Sequence, residues 1–119
     1  MGMNKSLLLL PMLLAIAAPA QATGGLTCRT AGSRPLEVSL VIGHTAVASV
    51  VSASLRDNGR SVPVSVAQSW LEPSELRLDL ADPNAMRREA RLFAKKNGRF
   101  YDGTIWRGGQ RRWVRCREA

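Results

Sequence analysis

The chain has 119 residues, two cysteines and a formal net charge of +8. This length supports one compact domain and excludes a second. The charge is uneven, because residues 23–83 carry five basic and six acidic side chains whereas residues 84–119 carry eleven basic and three acidic ones. The last third of the chain therefore has a strong positive field, which predicts attraction to anionic partners.

The N-terminus has the pattern of a secretory signal peptide. One cation, Lys5, precedes an apolar run over residues 7–18, and Ala20 and Ala22 form the A-x-A arrangement behind which signal peptidases cut. The run has 12 residues, whereas a membrane-spanning helix needs about 20. We therefore expect residues 1–22 to be cleaved. The product would be periplasmic or secreted from a bacterium, with no transmembrane segment after cleavage.

Both cysteines lie in the expected mature domain, residues 23–119. Cys28 is near its start and Cys116 near its end, 88 positions apart. In an oxidising compartment a lone pair most simply forms one disulfide, which would close nearly the whole domain. The alternative is a redox or metal role, but the chain has no C-x-x-C motif and no second ligand pair. We expect neither a cofactor nor a metal.

Apolar and polar residues alternate through most of the domain, which is the period of strands with one buried face. Turn signals separate these segments, at Asp57-Asn58-Gly59, Glu72-Pro73-Ser74 and Asp82-Pro83-Asn84. With a first strand near residues 26–30, the pattern predicts an all-β fold. We expect a small antiparallel meander of about eight strands, forming one closed or flattened barrel filled by side chains. The disulfide would fasten its first strand to its last.

Residues 84–97 allow two interpretations. Asp82 could cap a helix that Gly98 ends, so that residues 84–97 would form a helix packed on the sheet. The segment also alternates with a period of two, and Asn97-Gly98 is a strong hairpin signal. We favour the strand.

Two turns set the expected register of the last three strands. With Asn97-Gly98 as the first turn, Ala94 faces Tyr101. With Gly108-Gly109 as the second, Thr104 faces Trp113, and Asp102 of the same strand faces Arg115. The predicted inward face is then Ala90, Leu92, Ala94, Tyr101, Gly103, Ile105, Val114 and Cys116, with Arg112 as a misfit near the hairpin tip.

The opposite face of these strands interleaves aromatic rings with cations. It would present Arg91, Phe93, Lys95, Phe100, Trp106, Arg111, Trp113, Arg115 and Arg117. Such a surface suits stacking and contact with anionic groups. It could equally be a solvated face whose arginine stems cover the rings, or pack beneath another segment. Four rings on one outward face are more than a solvated sheet needs, which favours a binding site.

Catalytic patterns are weak in the sequence. His44 is the only histidine and has no acidic residue near it in sequence, and the strand serines lack a nucleophile-elbow motif. No second carboxylate is placed beside Asp102 for paired acid–base work. We therefore expect a protein that is not an enzyme.

The two ends of the domain resemble a known family. The segments L-T-C-R-T-A-G-S-R-P-L-E-V around Cys28 and W-V-R-C ending at Cys116 are similar to small bacterial periplasmic barrels, of which the membrane-bound and periplasmic C-type lysozyme inhibitors are the best described. The resemblance implies an export signal, an eight-stranded barrel and a disulfide from near the first strand to the last. The inhibitory pattern of that family, S-G-x-x-Y, has no counterpart here, so no functional residue is carried over. Lysozyme is itself basic, so a basic domain would be repelled by it rather than bind it.

Two functions remain. The first is a monomeric envelope protein that binds an anionic macromolecule or envelope component, namely lipid headgroups, acidic polysaccharide, nucleic acid or an envelope protein, through its last three strands. The second is a periplasmic inhibitor of an envelope-acting enzyme, which would use exposed turns around Asp57-Asn58-Gly59 or His44. Affinity that falls steeply with salt indicates the first, and one tight protein partner with little salt dependence indicates the second.

Overall fold

The computed structural model describes residues 23–44 and 48–119, and it contains nine strands and no helix in these residues. The predicted signal peptide, residues 1–22, lies outside them. The predicted all-β antiparallel fold is confirmed. The strands are β1 (Thr23–Thr30), β2 (Leu36–His44), β3 (Ala48–Asp57), β4 (Arg60–Val62), β5 (Ser65–Glu72), β6 (Glu75–Ala81), β7 (Arg88–Asn97), β8 (Phe100–Arg107) and β9 (Gln110–Glu118).

The strands form a single curled sheet in the order β4-β3-β2-β1-β9-β8-β7-β6-β5. Seven of its eight ladders join strands consecutive in sequence, and the eighth joins β1 to β9. The curl brings Cα atoms of β3 and β5 within 8 Å of one another, although no ladder joins the edge strands β4 and β5 in the described part of the chain. The sheet is therefore a half-barrel with an open seam rather than a fully hydrogen-bonded barrel.

The seam begins at Pro63. Proline has no N–H for a ladder bond and is restricted to edges and irregular positions of sheets. The chain leaves β4 at Val62 and enters β5 at Ser65. The alternation of Val62, Val64 and Val66, which predicts a single strand, is therefore divided between two. This division accounts for nine strands where about eight were predicted.

The core lies on the concave face of the sheet. The inward-facing residues predicted for the last three strands are confirmed, since all but Gly103 are buried and Gly103 is half-buried. The remaining buried residues come mainly from β1, β2, β3 and β6: Leu26, Cys28, Leu36, Val38, Leu40, Ile42, Leu55, Leu76, Leu78 and Leu80.

Cys28 and Cys116 are register partners of β1 and β9, and a disulfide joins them. The predicted bridge is confirmed, and both cysteines are fully buried. The bridge crosses the one ladder that joins strands distant in sequence.

The alternative of a helix over residues 84–97 is wrong, because Arg88–Asn97 forms β7 between β6 and β8. Apolar side chains spaced by two are buried when the chain is extended, whereas a helix would turn them to different sides. Asp82 does accept backbone N–H groups as a cap would, with Oδ1 2.7 Å from Met86 N and 2.8 Å from Arg87 N. It closes a loop rather than starting a helix.

The predicted register between β7 and β8 is also wrong, by two residues. Asn97 faces Phe100 and Ala94 faces Gly103, so Gly98 holds the first central position of the turn, with φ of +66°. A positive φ at this position is typical of a type II′ turn. Because two is an even number, the shift leaves every residue on its predicted face.

The register between β8 and β9 is confirmed, with Thr104 facing Trp113 and Asp102 facing Arg115. Gly108 and Gly109 both have positive φ, of 58° and 79°. This is the requirement of a type I′ turn, which matches the twist of the flanking strands.

Candidate binding face

The outward faces of β5 to β9 form one continuous surface. Cross-strand partners lie on the same face of a sheet, and the registers place five residues in one row across the five strands: Trp70, Arg77, Phe93, Thr104 and Trp113. Strands lie about 4.8 Å apart, so this row spans about 19 Å. An adjacent row is Gln68, Asp79, Arg91, Trp106 and Arg111. We call the outward surface of β5–β9 the basic–aromatic face.

All three tryptophans of the chain lie on this face. Trp70 is 53% exposed, Trp106 38% and Trp113 54%, although tryptophan is a residue that folded chains usually bury for the most part. Trp70 was not among the residues predicted from the sequence. The signal for it was the turn at Pro73-Ser74, which sets Trp70 opposite Arg77.

Trp70, Phe93 and Trp106 surround a groove of about 700 Å³ with Arg77, Asp79 and Arg91. Asp79 Oδ1 is 3.0 Å from Arg91 Nε. We call this region the aromatic groove. Its rings are accessible, and the cation of Arg91 already has an anionic partner.

Arg77 is compensated in the same way. Its Nε is 2.6 Å from an oxygen of Glu75, and its guanidinium carbon lies 5.5 Å from the centre of the Phe93 ring. Both arginines of the aromatic groove therefore pair with carboxylates, and Asp79 is shared with Arg88, whose Nε lies 3.5 Å from the same oxygen.

Arg115 lies at the centre of the face and is half-buried. Its guanidinium donates from Nε to Asp102 Oδ1 at 2.7 Å and from Nη2 to Oδ2 at 2.9 Å. These hydrogen bonds lower the pKa of Asp102 and raise the pKa of Arg115. The guanidinium carbon lies 4.3 Å from the centre of Phe100 and 5.4 Å from that of Trp113. Arg115 therefore holds two rings in place while its own charge is compensated.

Uncompensated charge lies at the β7–β8 turn. Lys96, Arg99, Phe100, Arg117 and Glu118 line a cleft of about 620 Å³, which we call the cationic cleft. None of its three cations forms an ion pair with a described residue. Lys96 lies over the Tyr101 ring at 4.9 Å, on the inward side of the sheet, and Arg117 lies over the Phe100 ring at 5.9 Å, on the outward side. The cleft is therefore at the end of the basic–aromatic face, where the two sides of the sheet meet.

The structure thus divides the predicted site residues. Arg91, Phe93 and Trp106 belong to the aromatic groove, and Phe100 and Arg117 to the cationic cleft. Lys95 and Arg115 lie between them, with Lys95 Nζ 6.0 Å from the centre of Phe93. Arg111 and Trp113 lie at the β9 side of the face.

Two further arginines of the basic segment are structural. Arg107 joins two parts of the fold, with Nε 2.9 Å from Asp57 Oδ2 and Nη1 2.9 Å from Glu89 Oε1. Arg112, the predicted misfit of the inward face, donates to the carbonyl oxygens of Ala31 and Arg34, both at 3.0 Å. Both arginines close one end of the half-barrel, so their charges belong to the fold rather than to the basic–aromatic face.

Of the residues considered for catalysis, Asp102 is paired with Arg115, and the strand serine Ser65 donates to the carbonyl oxygen of Asp82 at 3.4 Å. His44 is the last residue of β2, and its side chain lies outside the described residues. Among residues 23–44 and 48–119, no group of three or more His, Cys, Asp or Glu side chains is placed to hold a metal ion. Within the same ranges, no helix is long and apolar enough to cross a membrane. The disulfide is compatible with an exported protein.

No protein-family model matches the chain, and no curated protein or solved structure gives a significant match. The resemblance to lysozyme inhibitors therefore stays a prediction from the sequence.

Proposed function

We propose that the protein is an exported, non-enzymatic component of the bacterial envelope that binds an anionic macromolecule or surface through the basic–aromatic face. The observation that carries this proposal is the exposure of Trp70, Trp106 and Trp113 on one surface. Large exposed apolar patches usually mark contact with a partner. A surface whose rings were covered by arginine stems would not leave the tryptophans this accessible.

The charge of the face supports an anionic partner. Lys95, Arg111 and Arg117 of the face form no ion pair among the described residues, nor does Arg99 in the turn at its end. Cations beside aromatic rings are the combination that binds charged polymers by stacking together with electrostatic attraction. The sequence pattern of residues 1–22 and the disulfide support export to the compartment in which such polymers are encountered.

The test measures binding of the oxidised protein to hyaluronate, to an oligothymidylate and to phosphatidylglycerol vesicles. Each is measured at ionic strengths of about 0.01 M and about 1 M, where the Debye length falls from about 30 Å to about 3 Å. We expect binding to at least one of these ligands, with affinity that falls as salt rises. The double variant Trp106→Ala, Trp113→Ala should lose most of that affinity and keep its circular dichroism spectrum.

The matched control is the double variant Val51→Ala, Met86→Ala. Both side chains are large, apolar and exposed, at 61% and 79%, and neither lies on the basic–aromatic face. Full binding by this control, together with loss in the tryptophan variant, places the site on the face. No binding to any of the three ligands, or full binding by the tryptophan variant, would reject the proposal and direct attention to protein partners at the turns.

A further inference from the structure

The aromatic groove of the basic–aromatic face and the cationic cleft at the end of that face differ in charge. The aromatic groove contains three rings, and its two arginines are compensated by Asp79 and Glu75. The cationic cleft contains one ring and three cations without an ion partner among the described residues. A ligand that uses the whole face must therefore match both regions.

The two parts lie far enough apart to contact different units of a polymer. Trp106 and Phe100 are six residues apart on β8, and a strand rises about 3.4 Å per residue, so their rows are about 20 Å apart. Arg115 and Lys95 lie between the two rows. This surface is continuous and long, as binding of an extended chain requires.

From these observations we infer that the ligand is an acidic polysaccharide. The inference rests on the proposed function and narrows its ligand class. Uncharged sugar rings would stack their C–H faces on Trp70 and Trp106. The Asp79–Arg91 pair would offer acceptors and donors to the sugar hydroxyls, and carboxylates of the polymer would bind Lys96, Arg99 and Arg117.

The compensated charge of the aromatic groove separates this ligand from nucleic acid. A nucleic acid carries a phosphate at every nucleotide, so a base stacked on Trp106 brings an anion close to the Asp79 carboxylate. That anion would find Arg91 already paired with Asp79 at 3.0 Å, and Arg77 paired with Glu75. A polysaccharide in which charged and uncharged sugars alternate avoids this repulsion.

The compensated groove also disfavours a membrane surface. Anionic headgroups attract segments whose basic side chains lie close to the surface and are available to it. In the aromatic groove both arginines are engaged, and the unpaired cations of the face other than Arg111 lie at or near the β7–β8 turn. A membrane would meet this turn alone and would leave the tryptophans of the groove uncovered.

The experiment uses the full oxidised protein and hyaluronate, whose carboxylates alternate with uncharged sugars. The groove variant is Trp70→Ala, Trp106→Ala, and the cleft variant is Lys96→Gln, Arg99→Gln, Arg117→Gln. We expect the groove variant to lower affinity by about tenfold or more, the scale of losing a central aromatic contact, with an unchanged salt dependence. The cleft variant should make the affinity fall less steeply with salt than that of the wild type, because fewer charges of the protein contact the polymer.

Two matched variants test whether the effects are specific to the aromatic rings of the groove and to the cations of the cleft. Trp70→Phe, Trp106→Phe keeps a ring at each position and should recover most of the affinity. Arg56→Gln, Arg60→Gln removes two exposed cations of β3 and β4, away from the face, and should leave the slope closer to that of the wild type than the cleft variant does. Circular dichroism of every variant checks the fold.

The outcomes separate this inference from the proposed function. Tighter binding to oligothymidylate or to phosphatidylglycerol vesicles than to hyaluronate would overturn the polysaccharide but keep an anionic ligand of the face. Hyaluronate binding that the groove variant retains in full would overturn the role of Trp70 and Trp106. Failure to bind any of the three ligands would overturn both proposals.

Discussion

Arg115 of β9 and Asp102 of β8 face each other across the sheet and form a two-pronged ion pair, with N–O distances of 2.7 and 2.9 Å. The same guanidinium lies over the rings of Phe100 and Trp113. The carboxylate fixes the orientation of the guanidinium plane, and the guanidinium packs against the two rings. One ion pair therefore organises the centre of the basic–aromatic face.

This arrangement predicts that charge alone cannot replace Arg115. Lysine has no planar fork and does not stack as guanidinium does. We expect Arg115→Lys to reduce affinity for hyaluronate several-fold and to alter the fluorescence of Trp113, with the salt slope kept. Arg111→Lys is the matched control, because Arg111 forms no ion pair and no cation–π pair with the described residues. Equal effects of the two substitutions would contradict the role given to Arg115.

The disulfide between Cys28 and Cys116 should contribute much of the stability. It closes a separation of 88 residues, for which loop-closure entropy gives about 4–5 kcal/mol. We expect Cys28→Ala, Cys116→Ala to lower the free energy of unfolding by this amount in urea titrations. Reduction of the wild-type protein should produce a comparable loss, while reductant should leave the variant unaffected. A loss below about 1 kcal/mol would show that the fold does not depend on closing this loop.

Asp82 should make stability depend on acid pH. Backbone hydrogen bonds, led by that from Arg87 N, lower its pKa in the folded state. A carboxyl group with a depressed folded pKa stabilises the protein fully above its unfolded pKa of about 3.9, and the contribution is lost as pH falls through the folded pKa. We expect Asp82→Asn to be less stable than the wild type at pH about 6, and the difference to shrink below pH about 4. Urea titrations across this range measure it, and a constant difference would contradict the linkage.

Gly103 lies where β7 and β8 approach closely. A Cβ at this position would collide with the Phe93 carbonyl oxygen and lie 2.6 Å from Ala94 Cα. Because both are backbone atoms, the strands themselves would have to move. We expect Gly103→Ala to lower the free energy of unfolding by about 1–3 kcal/mol, the usual cost of overpacking. Thr104→Ala, at the next position on the outward face, should cost about 1 kcal/mol or less; similar costs at both positions would argue against the close approach.

The sequence carried enough information for the strands but not for every register. Alternation sorted the residues of β7 to β9 to their faces because one face of each strand is buried. Alternation did not determine the register of β7 against β8. Asn97 and Gly98 both tolerate positive φ, so either could take the first central position of the turn. The chain places Gly98 first, which leaves the second central position to Arg99 with an ordinary φ.

Contacts between distant segments set the remaining limits. Trp70 joins the face because the turn at Pro73-Ser74 sets it opposite Arg77, whereas the predicted face was limited to the last three strands. The Asp57–Arg107 pair joins residues 50 positions apart, and no local pattern selects that partner among the other arginines. The predicted composition of the site was therefore incomplete on the β5 side and included no structural role for Arg107.

The single ladder between β1 and β9 has a consequence for how the chain folds. The ribbons β1–β4 and β5–β9 contain only hairpins, and each can form from its own turns with little loop-closure entropy. Docking β1 on β9 instead brings together segments from the two ends of the domain, which is the slow kind of event. In the oxidised chain the Cys28–Cys116 disulfide already links the segments of the two ribbons before either ribbon has formed. Refolding should therefore be faster for the oxidised chain than for the reduced one, because its most distant contact is already made.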